Sequence, residues 1–126
     1  MSEVVGVGVD LCDVDRLRRT VARTPGFVDR VYTPAEQQYC RRARDPAERL
    51  AARFAAKEAV LKAMGAGLGA GPLRAIEVVR AASGAPSVVL HGAAATLAAE
   101  RGVTAWKLSL THTRTLAEAV AIALAG

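Results

Sequence analysis

Three residues of this chain have the types and spacing to act on a phosphorylated substrate: Asp10, Glu58 and Lys62. Glu58 and Lys62 stand four apart, one turn of a helix, and are expected to pair as i, i+4 neighbours. Asp10 is a single carboxylate at the end of an alternating run over residues 4–10, with Val5, Val7 and Val9 on one face and Gly6, Gly8 and Asp10 on the other. Glycines on that second face leave the backbone open to close approach. Two carboxylates, one from a strand end and one from a helix rim, suit a hard divalent cation. Magnesium in particular is held by one or two carboxylates, several waters and the oxygens of a phosphate. Arg53, Lys62 and the amides of residues 65–71 are the candidate phosphate cradle. His112, beside Ser109, Thr111 and Thr113, is placed to hydrogen-bond a phosphate or to shuttle a proton. Each feature has a plainer reading too: a surface ion pair, a capping aspartate, a histidine satisfying a turn carbonyl. Pattern alone does not choose, and His91, with no supporting neighbours, is given no role.

The elements that must position these residues are legible from periodicity. A strand is expected over residues 4–10 and an amphipathic helix over residues 13–22, capped by Asp13, with Val14, Leu17 and Val21 inward and Arg16, Arg18, Arg19 and Arg23 outward. Thr24-Pro25-Gly26 breaks that helix, and residues 27–32 form a short turn. Thr33, Pro34 and Glu36 make a capping box, so a helix should run over residues 34–44. The strongest signal is the alanine-rich helix over residues 47–64, with Leu50, Phe54, Leu61 and Met64 at helical spacing. On a wheel of about 100° per residue, Lys57 falls inside that apolar stripe, Glu58 at its rim and Lys62 just past it, with Arg53 on the opposite flank. Residues 65–72 then carry more glycine than a helix stop requires. Strands are expected at residues 76–80 and 87–90, a helix at 92–101, and a terminal hairpin of strands 105–111 and 117–124.

A length of 126 residues, 52% apolar and 23% charged, predicts one soluble domain over residues 1–126. So small a domain leaves much surface outside its core, which favours assembly with partner subunits. The net charge of +5 favours acidic or phosphorylated partners. A nucleic-acid role suggested by Arg41-Arg42-Ala43-Arg44 has no second support, since aromatic residues are only 4% and no finger or stacking pattern appears. Cys12 and Cys40 form neither a metal pair nor a disulfide framework and read as small buried or half-buried thiols in a reducing compartment. No basic leader precedes the first apolar run and no stretch is long enough to span a bilayer, so a cytoplasmic protein without membrane partners is expected.

Three segments together resemble the holo-[acyl-carrier-protein] synthases, a phosphopantetheinyl transferase family, and the match runs over nearly the whole chain. Residues 6–11, Gly-Val-Gly-Val-Asp-Leu, are similar to the family's opening strand; residues 53–63, Arg-Phe-Ala-Ala-Lys-Glu-Ala-Val-Leu-Lys-Ala, to its central helix; residues 109–113, Ser-Leu-Thr-His-Thr, to its C-terminal motif. Phe27, Arg30, Thr33, Glu36, the glycine-rich turn and Gly84-x-Pro86 are lesser matches. Ala85 departs from the pattern, standing where many members carry a basic residue, and residues 72–75 lack a usual aromatic and aspartate. The resemblance implies an α+β phosphopantetheinyl transferase fold, a small antiparallel sheet packed on a long central helix, assembling as a homotrimer with coenzyme A between subunits. It implies a magnesium-dependent transfer of phosphopantetheine from coenzyme A to a serine of an apo acyl carrier protein, for fatty acid, lipid or polyketide biosynthesis, releasing adenosine 3',5'-bisphosphate. Asp10 and Glu58 would hold the metal. Lys62 would offset charge on the leaving phosphate, and Glu58 would accept the serine proton directly or through a water. Arg44, Arg53, Lys62, Gly65, Pro86, Ser109, Thr111 and His112 would line the cofactor. Carrier proteins are acidic, so the first helix, through Arg16, Arg19 and Arg23, would dock them, with Arg16 the best match to the family's docking arginine.

Overall fold

The computed structural model describes residues 2–66 and 72–126. In chain order the elements are β1 (Glu3–Asp13), α1 (Val14–Arg23), α2 (Phe27–Val31), α3 (Pro34–Arg41), α4 (Pro46–Ala63), a 3-10 turn (Leu73–Ala75), β2 (Ile76–Arg80), β3 (Pro86–Leu90), α5 (Gly92–Glu100), β4 (Ala105–His112) and β5 (Leu116–Ala125). The architecture is α+β: an antiparallel sheet ordered β1-β5-β4, a separate hairpin of β2 and β3, and helix α4 laid across the larger sheet.

Local chemistry sets the boundaries. Asp13 caps α1 by accepting from the Arg16 amide at 2.8 Å. Thr33 and Glu36 form the expected box, the Thr33 hydroxyl accepting from the Glu36 amide at 3.2 Å and Glu36 Oε1 from the Thr33 amide at 2.9 Å. Asp45 caps α4, with Pro46 in the first turn where no amide is needed. Several expected boundaries shift. The expected turn after Gly26 is a short helix over residues 27–31, β3 begins at Pro86, α3 ends at Arg41 rather than 44 because residues 42–45 turn to reach the Asp45 cap, and β1 runs past Asp10 to Asp13, carried on by pairing with β5. Asp10 is therefore inside a strand, opposite Ala119.

The packing of α4 on the sheet is unusually close because both surfaces are stripped of side chain. On β5, Ala117, Ala119, Ala121 and Ala123 face the helix and are completely buried. On β1, a Cβ added to Gly6 would lie 1.9 Å from the Ala63 carbonyl oxygen, and one added to Gly8 would lie 1.8 Å from that of Ala59. The glycine-cleared face of β1 therefore receives the helix backbone. α4 is buried on nearly all sides, the position of a central helix. The sheet's other face is uncovered in this chain: Val7, Val9 and Leu11 are 60%, 51% and 59% exposed, flanked on β5 by half-buried Val120, Ile122 and Leu124.

One charged pair sits in the core. Lys57, expected in the apolar stripe, does not reach solvent at all: its ammonium donates to Glu36 Oε1 at 2.7 Å, to the Leu73 carbonyl at 3.2 Å and to the Ile76 carbonyl. Glu36 also accepts from the amides of Thr33 and Val78, so both charges are fully hydrogen-bonded and together pin α3, α4 and β2. Burial depresses the Lys57 pKa, with Glu36 opposing the shift. Both cysteines are buried thiols pushed up to about 11, mainly by burial. No helix among the described residues is long and apolar enough to cross a membrane.

Candidate active site

The sequence-predicted residues fall into two clefts on opposite flanks of α4. The first, about 420 Å³, is lined by Asp10, Arg16, Phe27, Phe54, Glu58 and Lys62 among others. Its assembly follows from the glycine packing: with Gly8 against Ala59, the next side chain on that face of β1, Asp10, meets the helix turn carrying Glu58 and Lys62. Lys62 does not make the expected pair with Glu58. Its ammonium lies 2.7 Å from Asp10 Oδ1 and 3.0 Å from the Val9 carbonyl, because the crossing strand offers two acceptors where the helix neighbour offers one. Glu58 is left 6% exposed, and its Oε1 is buried with no hydrogen-bond partner among the described residues. Burial raises the Glu58 pKa, nearby Asp10 raises it further, and Lys62 partly offsets both. The cleft thus holds two hard oxygen donors, one unpaired, beside a lysine that is half exposed.

The second cleft, about 280 Å³, is lined by Tyr39, Arg49, Arg53, Arg80, Pro86 and His112 among others. Arg53 is 5% exposed, its guanidinium carbon 4.1 Å from the centre of the Tyr39 ring and its Nε without a hydrogen-bond partner among the described residues. His112 Nδ1 lies 3.3 Å from Glu48 Oε1. Arg53 and Lys62 are about 180° apart around the helix, which is why the expected cradle of the two does not form within one chain. Its remaining members divide: Gly65, with a φ of 71°, lines a shallow hollow with Lys62 and Arg101, while residues 67–71 lie outside those described.

Strand alternation separates the C-terminal motif. His112 and Leu110 point into the second cleft, whereas Ser109 and Thr111 stand on the opposite face of β4, exposed, in the surface carrying the valines of β1. Arg44 is exposed in the turn before α4 and lines neither cleft. Among the α1 arginines, Arg16 borders the first cleft and Arg19 and Arg23 are exposed. Arg18 is tied to Asp15 at 2.8 Å and Asp45 at 2.6 Å. His91 contacts Glu77 at 3.0 Å, away from both clefts. Tyr39, Arg49 and Arg80 were not expected at a site. Arg49, one turn before Arg53, carried a readable signal, but the other two come from elements whose approach only the fold reveals.

Comparison with known proteins places the chain in a family. Residues 6–125 match the 4'-phosphopantetheinyl transferase superfamily. The holo-[acyl-carrier-protein] synthase of Frankia alni is 48% identical over 120 residues, covering 95% of this chain and 97% of that protein. The synthase of Moorella thermoacetica is 47% identical over 115 residues, covering 91% and 90%. The crystal structure of Helicobacter pylori holo-[acyl-carrier-protein] synthase in complex with coenzyme A superposes with a TM-score of 0.81 at 25% identity, covering 93% of this chain and 98% of that one. By sequence and by fold, this chain belongs to the 4'-phosphopantetheinyl transferase superfamily, as one of its holo-[acyl-carrier-protein] synthases.

Proposed function

We propose that this chain transfers phosphopantetheine from coenzyme A to a serine hydroxyl of an apo acyl carrier protein, using magnesium and releasing adenosine 3',5'-bisphosphate. The observation that carries the reading is the Asp10, Glu58 and Lys62 constellation lining one cleft, with Glu58 Oε1 buried and without a hydrogen-bond partner among the described residues. These donors fit the metal. Both are carboxylates, and no cluster of three His, Cys, Asp or Glu occurs among the described residues, so waters and substrate phosphate would complete the shell, as magnesium prefers. When bound there, magnesium supplies positive charge against the coenzyme A pyrophosphate.

The chain's own residues account for the remaining steps. Glu58, its basicity raised by burial, accepts the proton of the carrier serine. The serine oxygen bonds to the phosphorus that bears pantetheine as the bond to the adenosine bisphosphate breaks. Lys62 swings from Asp10 to that leaving phosphate and offsets the charge it gains. Arg53, Pro86 and His112 hold the adenosine end in the second cleft.

Two features support a homotrimer with shared sites. The uncovered apolar face of β1 and β5 is of a kind that water-exposed monomers avoid, and a second copy would bury it. The half-sites lie on opposite flanks of α4, so one coenzyme A bridging two subunits would use both kinds, with Ser109 and Thr111 turned to the neighbour, and Arg44 and Gly65 contributing to the phosphates. The carrier docks on α1 through Arg16, Arg19 and Arg23, its acidic surface meeting exposed guanidinium groups beside the first cleft. A cytoplasmic setting, with carriers of fatty acid or polyketide synthesis, follows from that substrate pair. The test is the intact mass of apo acyl carrier protein after incubation with the chain, coenzyme A and magnesium. One added phosphopantetheine, lost with chelator and with Glu58→Ala, is expected; no gain with any of several carriers would overturn the reading.

A further inference from the structure

Lys62 stands at the junction of two hollows. One is the first cleft, with Asp10 and Glu58; the other, about 360 Å³, is lined by Gly6, Met64, Gly65 and Arg101 among others. No carboxylate lines that other hollow among the described residues, so the ammonium finds its anion in the cleft. It donates to two neighbouring acceptors on β1, Asp10 Oδ1 at 2.7 Å and the Val9 carbonyl at 3.0 Å, while its side chain stays 52% exposed. Asp10 is the more enclosed of the two, 18% exposed, and Lys62 is its one ion-pair partner among the described residues.

The two carboxylates of the cleft are therefore unequal. Asp10 has a counter-ion, whereas Glu58, one helical turn from Lys62, receives nothing from it and keeps its Oε1 buried without a partner. Any cation that takes Asp10 and Glu58 together must deal with the ammonium first. At 2.7 Å the ammonium lowers the negative charge that Asp10 can offer, and two like charges sharing one carboxylate repel where burial limits screening. The hold of Lys62 is nevertheless easily reversed. Its stem is flexible, its side chain is half exposed, and the hollow beside Gly65 gives it room to turn.

We propose that Lys62 competes with the metal for Asp10, so that metal affinity stays low until a substrate phosphate takes the ammonium up, a role that rests on the magnesium and coenzyme A reading above. The lysine then couples the two ligands. A phosphate that draws Lys62 away frees Asp10 for the metal, and a metal on Asp10 frees Lys62 for the phosphate. By linkage each ligand tightens the other by the same factor, and part of that factor belongs to Lys62, over and above any direct contact of metal with phosphate. Removing the ammonium should have two opposite effects: stronger metal binding to the protein alone, and weaker coupling between metal and coenzyme A.

The probe is manganese, its unbound ion read by electron paramagnetic resonance, titrated into the wild type and Lys62→Met with and without saturating coenzyme A. No carrier is present, so nothing turns over. Lys62→Gln is the second variant should Lys62→Met not fold. Arg16→Gln, which removes a cation lining the same cleft but not paired with Asp10, controls for charge alone. Without coenzyme A, Lys62→Met is expected to bind manganese about tenfold more tightly than the wild type, the size of one charge-assisted hydrogen bond, and Arg16→Gln to gain far less. Coenzyme A should tighten manganese binding in the wild type by a factor about tenfold larger than in Lys62→Met. Manganese should also raise the melting temperature of Lys62→Met more than that of the wild type. Equal manganese affinities of the wild type and Lys62→Met, or an equal gain in Arg16→Gln, would overturn the proposal and leave the metal site standing. No manganese binding by the wild type, even with coenzyme A, would instead remove the metal reading and the proposal with it.

Discussion

Replacing Gly8 by alanine tests the claim that backbone contact between β1 and α4 sets the active-site geometry. The added methyl would start 1.8 Å from the Ala59 carbonyl oxygen and 2.8 Å from the Ala63 amide nitrogen, whereas an ordinary contact begins near 3.4 Å. Both obstacles are main-chain atoms of a buried helix, so no rotamer change relieves them, and strand and helix must part by more than 1 Å at that point. Overpacking of this kind costs about 1–3 kcal/mol, or a fall in melting temperature of roughly 5–15 °C for a chain of this size. The catalytic effect should be the larger one. Asp10 moves with the strand while Glu58 and Lys62 move with the helix, and misplacement of reacting groups by about 1 Å costs on the order of a hundredfold in rate. The assay is kcat for carrier modification at saturating coenzyme A, alongside thermal unfolding. Gly6→Ala, whose methyl would meet the Ala63 carbonyl at 1.9 Å, gives the second variant should Gly8→Ala not fold. A Gly8→Ala enzyme with unchanged melting and unchanged kcat would refute the reasoning.

Three further outcomes follow from the geometry. Lys57→Met should destabilise the chain by about 3–5 kcal/mol, since it strands the buried Glu36 carboxylate, and adding Glu36→Gln should recover part of the loss in urea unfolding. Glu58 has a raised folded-state pKa, so its ionised form opposes folding once pH climbs through that value; Glu58→Gln should therefore melt higher than wild type at neutral pH without metal, the gap closing in acid, while transfer is lost. Arg16→Glu and raised salt should weaken carrier binding, measured by KM for the carrier, far more than KM for coenzyme A; equal losses would remove α1 as the docking face.

Contacts within a turn or a strand were legible in the sequence, and contacts between elements were not. The Thr33 box, the Asp13 cap and the strand-helix-strand order follow from neighbours a few residues apart. The partner of Lys62 did not: helical spacing favoured Glu58, but the acceptor is Asp10, 52 residues away on a strand that glycine lets approach. Lys57 was correctly placed in the apolar stripe, yet its partner Glu36 belongs to another helix and its carbonyl acceptors follow the glycine-rich segment. The family resemblance supplied Arg44, Arg53, Lys62, Gly65, Pro86 and His112 in one cofactor set, of which the second cleft holds only Arg53, Pro86 and His112. It supplied Ser109 and Thr111 alongside them, and the two-residue period of β4 sends those to the other face.

That period makes length the property β4 can least vary. Leu110 and His112 serve one side of the sheet while Ser109 and Thr111 serve the other. A single-residue insertion or deletion within Ala105–His112 that kept pairing with β5 would exchange the two sets in one step, presenting leucine and histidine to the valine face and hydroxyls to the arginine cleft. Point substitutions along this strand spoil one surface at a time; an indel spoils both. Homologues should therefore vary freely in the connections at either end of β4, before residue 105 and after residue 112, and hold the count between them fixed.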